Sequence, residues 1–146
     1  MKVIASYRRA RYDYEILESL EAGMMLTGAE VKSCRAGHIS LTGSYVLLRD
    51  GRAFVRNVAI SPYAYAARSD SYDPAHEREI LLKREELHRL QSAVDQKGFT
   101  LIPLEVRAGK YIKMLIGLCR GKKQFDKRAS IKKRDTERRI REGREI

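Results

Sequence analysis

The dipeptide Asp50-Gly51 constrains this chain more than any other feature. It joins two strand-like runs, Ser44–Arg49 and Arg52–Val58. A two-residue Asp-Gly connection favours a type I′ turn, whose twist matches that of paired antiparallel strands. A second hairpin is expected from Phe99–Arg107 and Tyr111–Arg120, turning at Ala108-Gly109-Lys110. Pro103 removes one amide donor from that pair and implies an edge or a bulge. Lys113 sits between the apolar Ile112 and Met114, so alternation turns it outward.

A short helix is wedged between the strand-like segments. Thr27 followed three residues later by Glu30 is a capping box, and Gly37 is placed to end the helix in a left-handed conformation. About nine residues of helix cannot hold themselves in water, so Ala29, Val31 and Cys34 are expected to dock on a sheet. Lys32 and Arg35 lie three apart on its polar side, either as solvated cations or as contacts to a ligand. Before it, Tyr12–Leu20 is rich in strand formers, and Glu21-Ala22-Gly23 predicts a turn or bulge ahead of Met24-Met25-Leu26.

Residues 59–79 have no regular period and predict a surface excursion, whose Tyr63, Tyr65 and Tyr72 either stack bases or cover the protein, with covering favoured. Glu79–Leu82 is short and extended. A helix comes next over about Lys83–Lys97, with Leu87, Leu90 and Val94 on one stripe and Gly98 as its stop. The sum is a mainly β chain with five or six antiparallel strands. The expected architecture is an OB-type Greek-key β-barrel with two or three flanking helices over residues 1–120.

Charge separates that body from the C-terminal tail. Residues 121–146 carry 11 Lys or Arg and 5 Asp or Glu, more than half of the chain's net charge of +11. This segment has too few apolar residues to offset an ordering cost of ~1–2 kcal/mol per residue, so disorder is expected in isolation. Glu137 with Arg141, Arg138 with Glu142, and Arg141 with Glu145 are four apart and would support a helix on a docking partner. A basic body with a more basic tail reads as a polyanion binder, with nucleic acid favoured over a membrane surface. Arg8, Arg9 and Arg11 beside Tyr7 and Tyr12 suit phosphate contact with base stacking, or form an ordinary basic arm.

Other chemistry has little foothold. No apolar run approaches the ~20 residues that span a bilayer, and the start of the chain lacks the apolar core of an export signal. A cytoplasmic location is expected, and Cys34 and Cys119 are expected to be reduced thiols used in packing. His38, His76 and His88 stand far apart with no metal-ligand spacing, and no phosphate loop or nucleophile elbow is present. Neither catalysis nor a cofactor is expected.

Several motifs resemble one family, in order and over almost the whole chain. They are Ala10-Arg11-Tyr12-Asp13-Tyr14, Glu21-Ala22-Gly23, the run Gly28 to Gly37, Ser44-Tyr45, Ile60-Ser61-Pro62, and Gly121-Lys122-Lys123-Gln124-Phe125-Asp126-Lys127-Arg128. The chain is similar to the SsrA-binding protein family, also called small protein B. The resemblance implies an OB-type barrel that holds the tRNA-like elbow of tmRNA and delivers it to stalled bacterial ribosomes for trans-translation. It implies ribosome rescue without bond chemistry, with the tail becoming helical in the empty messenger channel near the small-subunit decoding centre.

Carried over by motif, Glu21, Leu81 and Lys113 fall at positions the family uses for tmRNA. Arg9, Arg11, Lys32 and Arg35 become supporting cations on that side. Lys122, Lys123, Phe125, Asp126, Lys127 and Arg128 match the hinge that reads the vacant decoding site. A monomer is expected. The chain departs from the family with Tyr7 where Asn is usual, Tyr12 where His is usual, and Phe125 where His or Tyr is common. It has no Trp, so an aromatic in the 107–112 turn can only be Tyr111. The competing reading is an OB-type ribosomal protein or translation factor that binds other structured RNA.

Overall fold

The computed structural model describes residues 2–63 and 72–121. Its elements run β1 (Lys2–Ser6), α1 (Ala10–Asp13), β2 (Tyr14–Met24), α2 (Gly28–Arg35), β3 (Ile39–Ser40), β4 (Tyr45–Arg49), β5 (Arg52–Arg56), β6 (Ala59–Ile60), β7 (Arg78–Leu81), α3 (Arg84–Lys97), β8 (Thr100–Ala108) and β9 (Ile112–Gly121). Seven strands form one antiparallel sheet in the order β1-β8-β4-β5-β7-β2-β9. A further β8–β9 pairing closes it into a barrel, with β1 added along β8. Within it the order β8-β4-β5-β7 places three successive strands side by side and returns the fourth beside the first. That is the Greek key expected.

Both hairpins form where the turn chemistry puts them. Asp50 and Gly51 take φ of 55° and 72°, the pair of positive values a type I′ turn requires. Pro103 marks a register shift with Glu105 rather than an edge, because β8 is paired with β9 on one side and with β1 and β4 on the other. A bulge lets the sheet pass a residue that cannot donate.

The expected turn at Glu21-Ala22-Gly23 does not exist. These residues lie within β2, paired to Leu115, Met114 and Lys113 of β9, and the bulge in β2 falls between Ile16 and Glu18. The continuous ladder to β9 outweighs glycine's weak strand propensity. Among the described residues, nine strands also exceed the five or six expected. The extra ones are the two-residue β3–β6 pair and β1, which occupies part of the basic N-terminal stretch.

Strand alternation builds the core. In β9, Ile112, Met114 and Ile116 point inward and are buried, while Lys113 and Leu115 face outward. Leu20, Val55, Ile80 and Leu101 meet them from the other strands. Burial of each such side chain contributes ~1.5–3 kcal/mol. A satellite cluster of Ala10, Ile102 and Cys119, with Tyr7 and Tyr14 packed against it, fixes the basic N-terminal stretch to the barrel. Burial pushes the thiols of Cys34 and Cys119 up to about 11, which keeps both protonated.

Helix α2 begins as expected. The Thr27 oxygen accepts from the Glu30 amide at 3.2 Å, while the Thr27 amide donates to Glu30 Oε1 at 3.0 Å. Gly37 lies past its end at φ 84°. The buried face is Glu30, Ser33 and Cys34, with Val31 half-buried against the core, so the expected docking set of Ala29, Val31 and Cys34 was only partly right. The polar residues turn inward because Glu30 has a second role. Its Oε2 accepts from Arg78 Nε at 2.7 Å, and lies 3.3 Å from the Tyr72 hydroxyl and 3.0 Å from His76 Nε2. Arg78 also donates to the carbonyls of Val58 (2.7 Å) and Pro74 (2.8 Å).

One ion pair thus ties α2 to β7 and to the loops on both sides. Burial raises the Glu30 carboxyl pKa, but the Thr27 amide and the Arg78 guanidinium outweigh it and hold it below its usual 4.5. The folded chain then binds fewer protons than the unfolded chain just below pH 4.5, so this contribution is present above that pH and fades as pH falls through the lowered value. In urea unfolding, Glu30→Gln should cost on the order of 3 kcal/mol at neutral pH, since it strands a buried guanidinium. Its loss of stability between pH 5 and pH 3 should be shallower than that of the native chain.

Candidate nucleic-acid interface

The interface is assembled by register across three strands. Gly23 of β2 pairs with Leu81 of β7 on one side and with Lys113 of β9 on the other. Side chains opposite one another on a sheet share a face, so Leu81, Gly23 and Lys113 form a line across the outside of the barrel. Gly23 leaves the middle of that line open. A Cβ placed there would lie 3.7 Å from the Leu81 Cβ and 3.8 Å from the Lys113 ammonium. Both are ordinary contact distances, so the Leu81 side chain and the Lys113 ammonium flank Gly23 closely. Glu21, two residues along β2 and exposed, pairs with Leu115 on the same outer face.

Leu81 is 54% exposed, unusual for a leucine on a barrel strand. Met25 and Tyr111 are also exposed, at 53% and 63%. The Tyr111 ring centroid lies 5.9 Å from the Lys113 ammonium and 5.7 Å from that of Lys110. Apolar surface bordered by ammonium groups and one carboxylate suits ribose and base faces beside phosphates, and the carboxylate can accept from base or ribose donors. Tyr111 was legible only as the one aromatic of its turn. Its exposure and its two flanking lysines came from the fold.

Arg11 reaches this face from the N-terminal side. With Arg8 and Tyr7 it lines a recess of about 360 Å³ whose other walls include Glu105 and Leu115. Arg9 is exposed and lies 3.9 Å from Asp13, one helical turn on. Lys32 is exposed and stands 5.5 Å from the ring centroid of Tyr63. Arg35 is engaged by backbone, its Nη2 donating to the carbonyls of Gly109 at 2.8 Å and Lys110 at 3.1 Å. Register and contact therefore bring Glu21, Leu81, Lys113 and Arg11 onto one face, with Arg35 reaching it through the turn.

The tyrosines of the excursion divide. The Tyr72 hydroxyl donates to the Ile60 carbonyl at 2.9 Å and is built into the Glu30–Arg78 network, the covering role expected. Tyr63 lies beneath Lys32, and Tyr65 falls outside the described residues. The tail candidates Lys122, Lys123, Phe125, Asp126, Lys127 and Arg128 also fall outside them. Among the described residues no group of three or more His, Cys, Asp or Glu could hold a metal ion, and no helix is long and apolar enough to cross a membrane.

Comparison with known proteins is consistent along the whole length. The model of the SmpB protein family matches residues 4–145. A protein named SsrA-binding protein from Gloeothece citriformis is 48% identical over 138 residues, covering 94% of this chain and 89% of its own. One of the same name from Acaryochloris marina is 46% identical over 149 residues, covering 99% and 97%. A chain solved in "tmRNA-SmpB: a journey to the center of the bacterial ribosome" superposes with a TM-score of 0.69 at 43% identity, covering 90% of this chain and 95% of that one. With a family model spanning nearly every residue and relatives of this identity over most of their length, the chain belongs to the SmpB family.

Proposed function

We propose that this chain binds the tRNA-like domain of tmRNA and carries it to stalled ribosomes, where trans-translation releases them and tags the incomplete peptide. Family membership supports the reading, and the observation that carries it is the Leu81–Gly23–Lys113 line with exposed Tyr111 beside it. Lys113 meets phosphate, and the apolar surface of Leu81 lies against ribose or base. Glu21 accepts from a base or ribose donor. Arg9, Arg11 and Lys32 add positive charge around this face. The protein acts by binding and shape, as an adaptor in the cytoplasm.

The two parts divide the work. The barrel, residues 1–120, holds the RNA. The basic tail, residues 121–146, becomes helical in the empty messenger channel, with Lys122, Lys123, Phe125, Asp126, Lys127 and Arg128 at the decoding centre. This division rests on the charge break and the lack of an apolar face after Arg120.

Four outcomes test the reading. Lys113→Ala and Leu81→Ala should each weaken binding of the isolated tRNA-like domain about fivefold or more, the equivalent of ~1 kcal/mol, with thermal midpoints close to native because both groups reach the surface. Retained native affinity in both variants would place the RNA elsewhere. With ~5 phosphates contacted, log K should fall with log salt at a slope between about −3.5 and −4.5. A chain ending at residue 120 should keep tmRNA affinity and lose peptide tagging in a reconstituted stalled-ribosome assay. Equal loss of both would refute the division. A bulk transfer RNA that competes as well as the tRNA-like domain would favour a general translation factor instead.

A further inference from the structure

We propose that Arg35 is a positioning residue, which holds the turn Gly109-Lys110-Tyr111 so that the Tyr111 ring stands ready to receive an RNA base, and that it is not itself a phosphate contact. The proposal rests on this face being the RNA-binding surface. Its starting point is the geometry of the turn. Ala108 of β8 pairs with Ile112 of β9, which leaves a three-residue loop. Such loops ordinarily end in a left-handed residue that sets their shape. None of Gly109, Lys110 and Tyr111 has a positive φ. Inside the loop, the Gly109 amide donates to the Tyr111 carbonyl at 3.1 Å.

The support comes from α2, 74 residues away in sequence. One nitrogen of Arg35, Nη2, donates to both the Gly109 and Lys110 carbonyls, at 2.8 and 3.1 Å. Both N–H bonds of that nitrogen are committed to the turn, which leaves three on Nε and Nη1, and the salt slope below reads whether those meet phosphate. The helix that carries Arg35 is itself immobilised, by the Thr27–Glu30 capping box at its start and the buried Glu30–Arg78 pair beneath it. A rigid base, a guanidinium and two loop carbonyls make a brace for the turn. What the turn presents is an aromatic ring, 63% exposed and flanked by the Lys110 and Lys113 ammoniums. A ring that stacks a base gains most when it is already held in place. The ligand chemistry is one unpaired or terminal nucleobase, with its adjoining phosphates on the two lysines.

The experiment is a double-mutant cycle on the full chain, using the isolated tRNA-like domain of tmRNA as probe. Tyr111→Ala should weaken binding at least about fivefold. Arg35→Ala should weaken it to a similar degree in the native background and by less than about twofold further in the Tyr111→Ala background. Arg35→Lys, which keeps the charge on a stem one bond shorter, should behave like Arg35→Ala. The salt slope of Arg35→Ala should match that of the native chain. In NMR spectra, Arg35→Ala should shift the Gly109 amide resonance and speed its hydrogen exchange while the core amides stay in place.

Losses that add in the double variant, a slope shallower by ~0.7–0.9, native affinity in Arg35→Lys or Arg35→Ala, or an undisturbed Gly109 amide would each overturn the brace. Lys113→Ala serves as the separate arm. If it too binds with native affinity, the failure lies in the assignment of the face rather than in the role of Arg35.

Discussion

The buried pair of Glu30 and Arg78 is the interaction on which the rest of this structure leans. Both side chains are almost wholly withdrawn from water, and Arg78 spends its donors on Glu30, on the Tyr72 hydroxyl and on carbonyls of Val58, Pro74 and His76. Such a pair adds little over an apolar contact of equal size, because desolvation offsets the attraction. What it confers is position. A guanidinium with several fixed acceptors admits one arrangement of the helix, the strand and the loops that supply them, and α2 is held in that arrangement on the barrel.

That position has consequences at a distance. Arg35 leaves the last turn of α2 and meets the β8–β9 turn, and Tyr111 and Lys113 lie at or just beyond that turn. The proposed RNA-binding face is therefore built from two kinds of support. Backbone ladders set Glu21, Leu81 and Lys113 through their register with β2 and β9. Side chains set the aromatic at the edge. Ladder positions tolerate little slippage, since a shift of one residue would carry the whole set to the other face of the sheet.

The hairpin at Asp50-Gly51, the end of α3 at Gly98 and the outward aim of Lys113 were legible because each depends on a few adjacent residues. The strand β1 and the two-residue pair β3–β6 were not, since strands this short carry too little alternation to stand out and form only against partners far along the chain. The turn expected at Gly23 shows the same limit from the other side. Glycine weakens a strand locally, yet the β9 ladder continues through it and sets Lys113 opposite Gly23. Of the candidate cations, Arg35 is the one whose setting differs most from expectation, because nothing near it in sequence announces two carbonyls 74 and 75 residues away.

Short-range turn and cap chemistry, alternation and summed charge were enough to read off most elements, the barrel class and the polyanion partner. Barrel closure was needed to make Glu30 a buried ion-pair partner as well as a capping residue, to set Gly23 in mid-strand, and to turn Arg35 into a brace. A residue's local pattern states which side chains it carries and how often they repeat. Which acceptor or ladder it meets depends on that closure, which brings together groups that no sequence window contains.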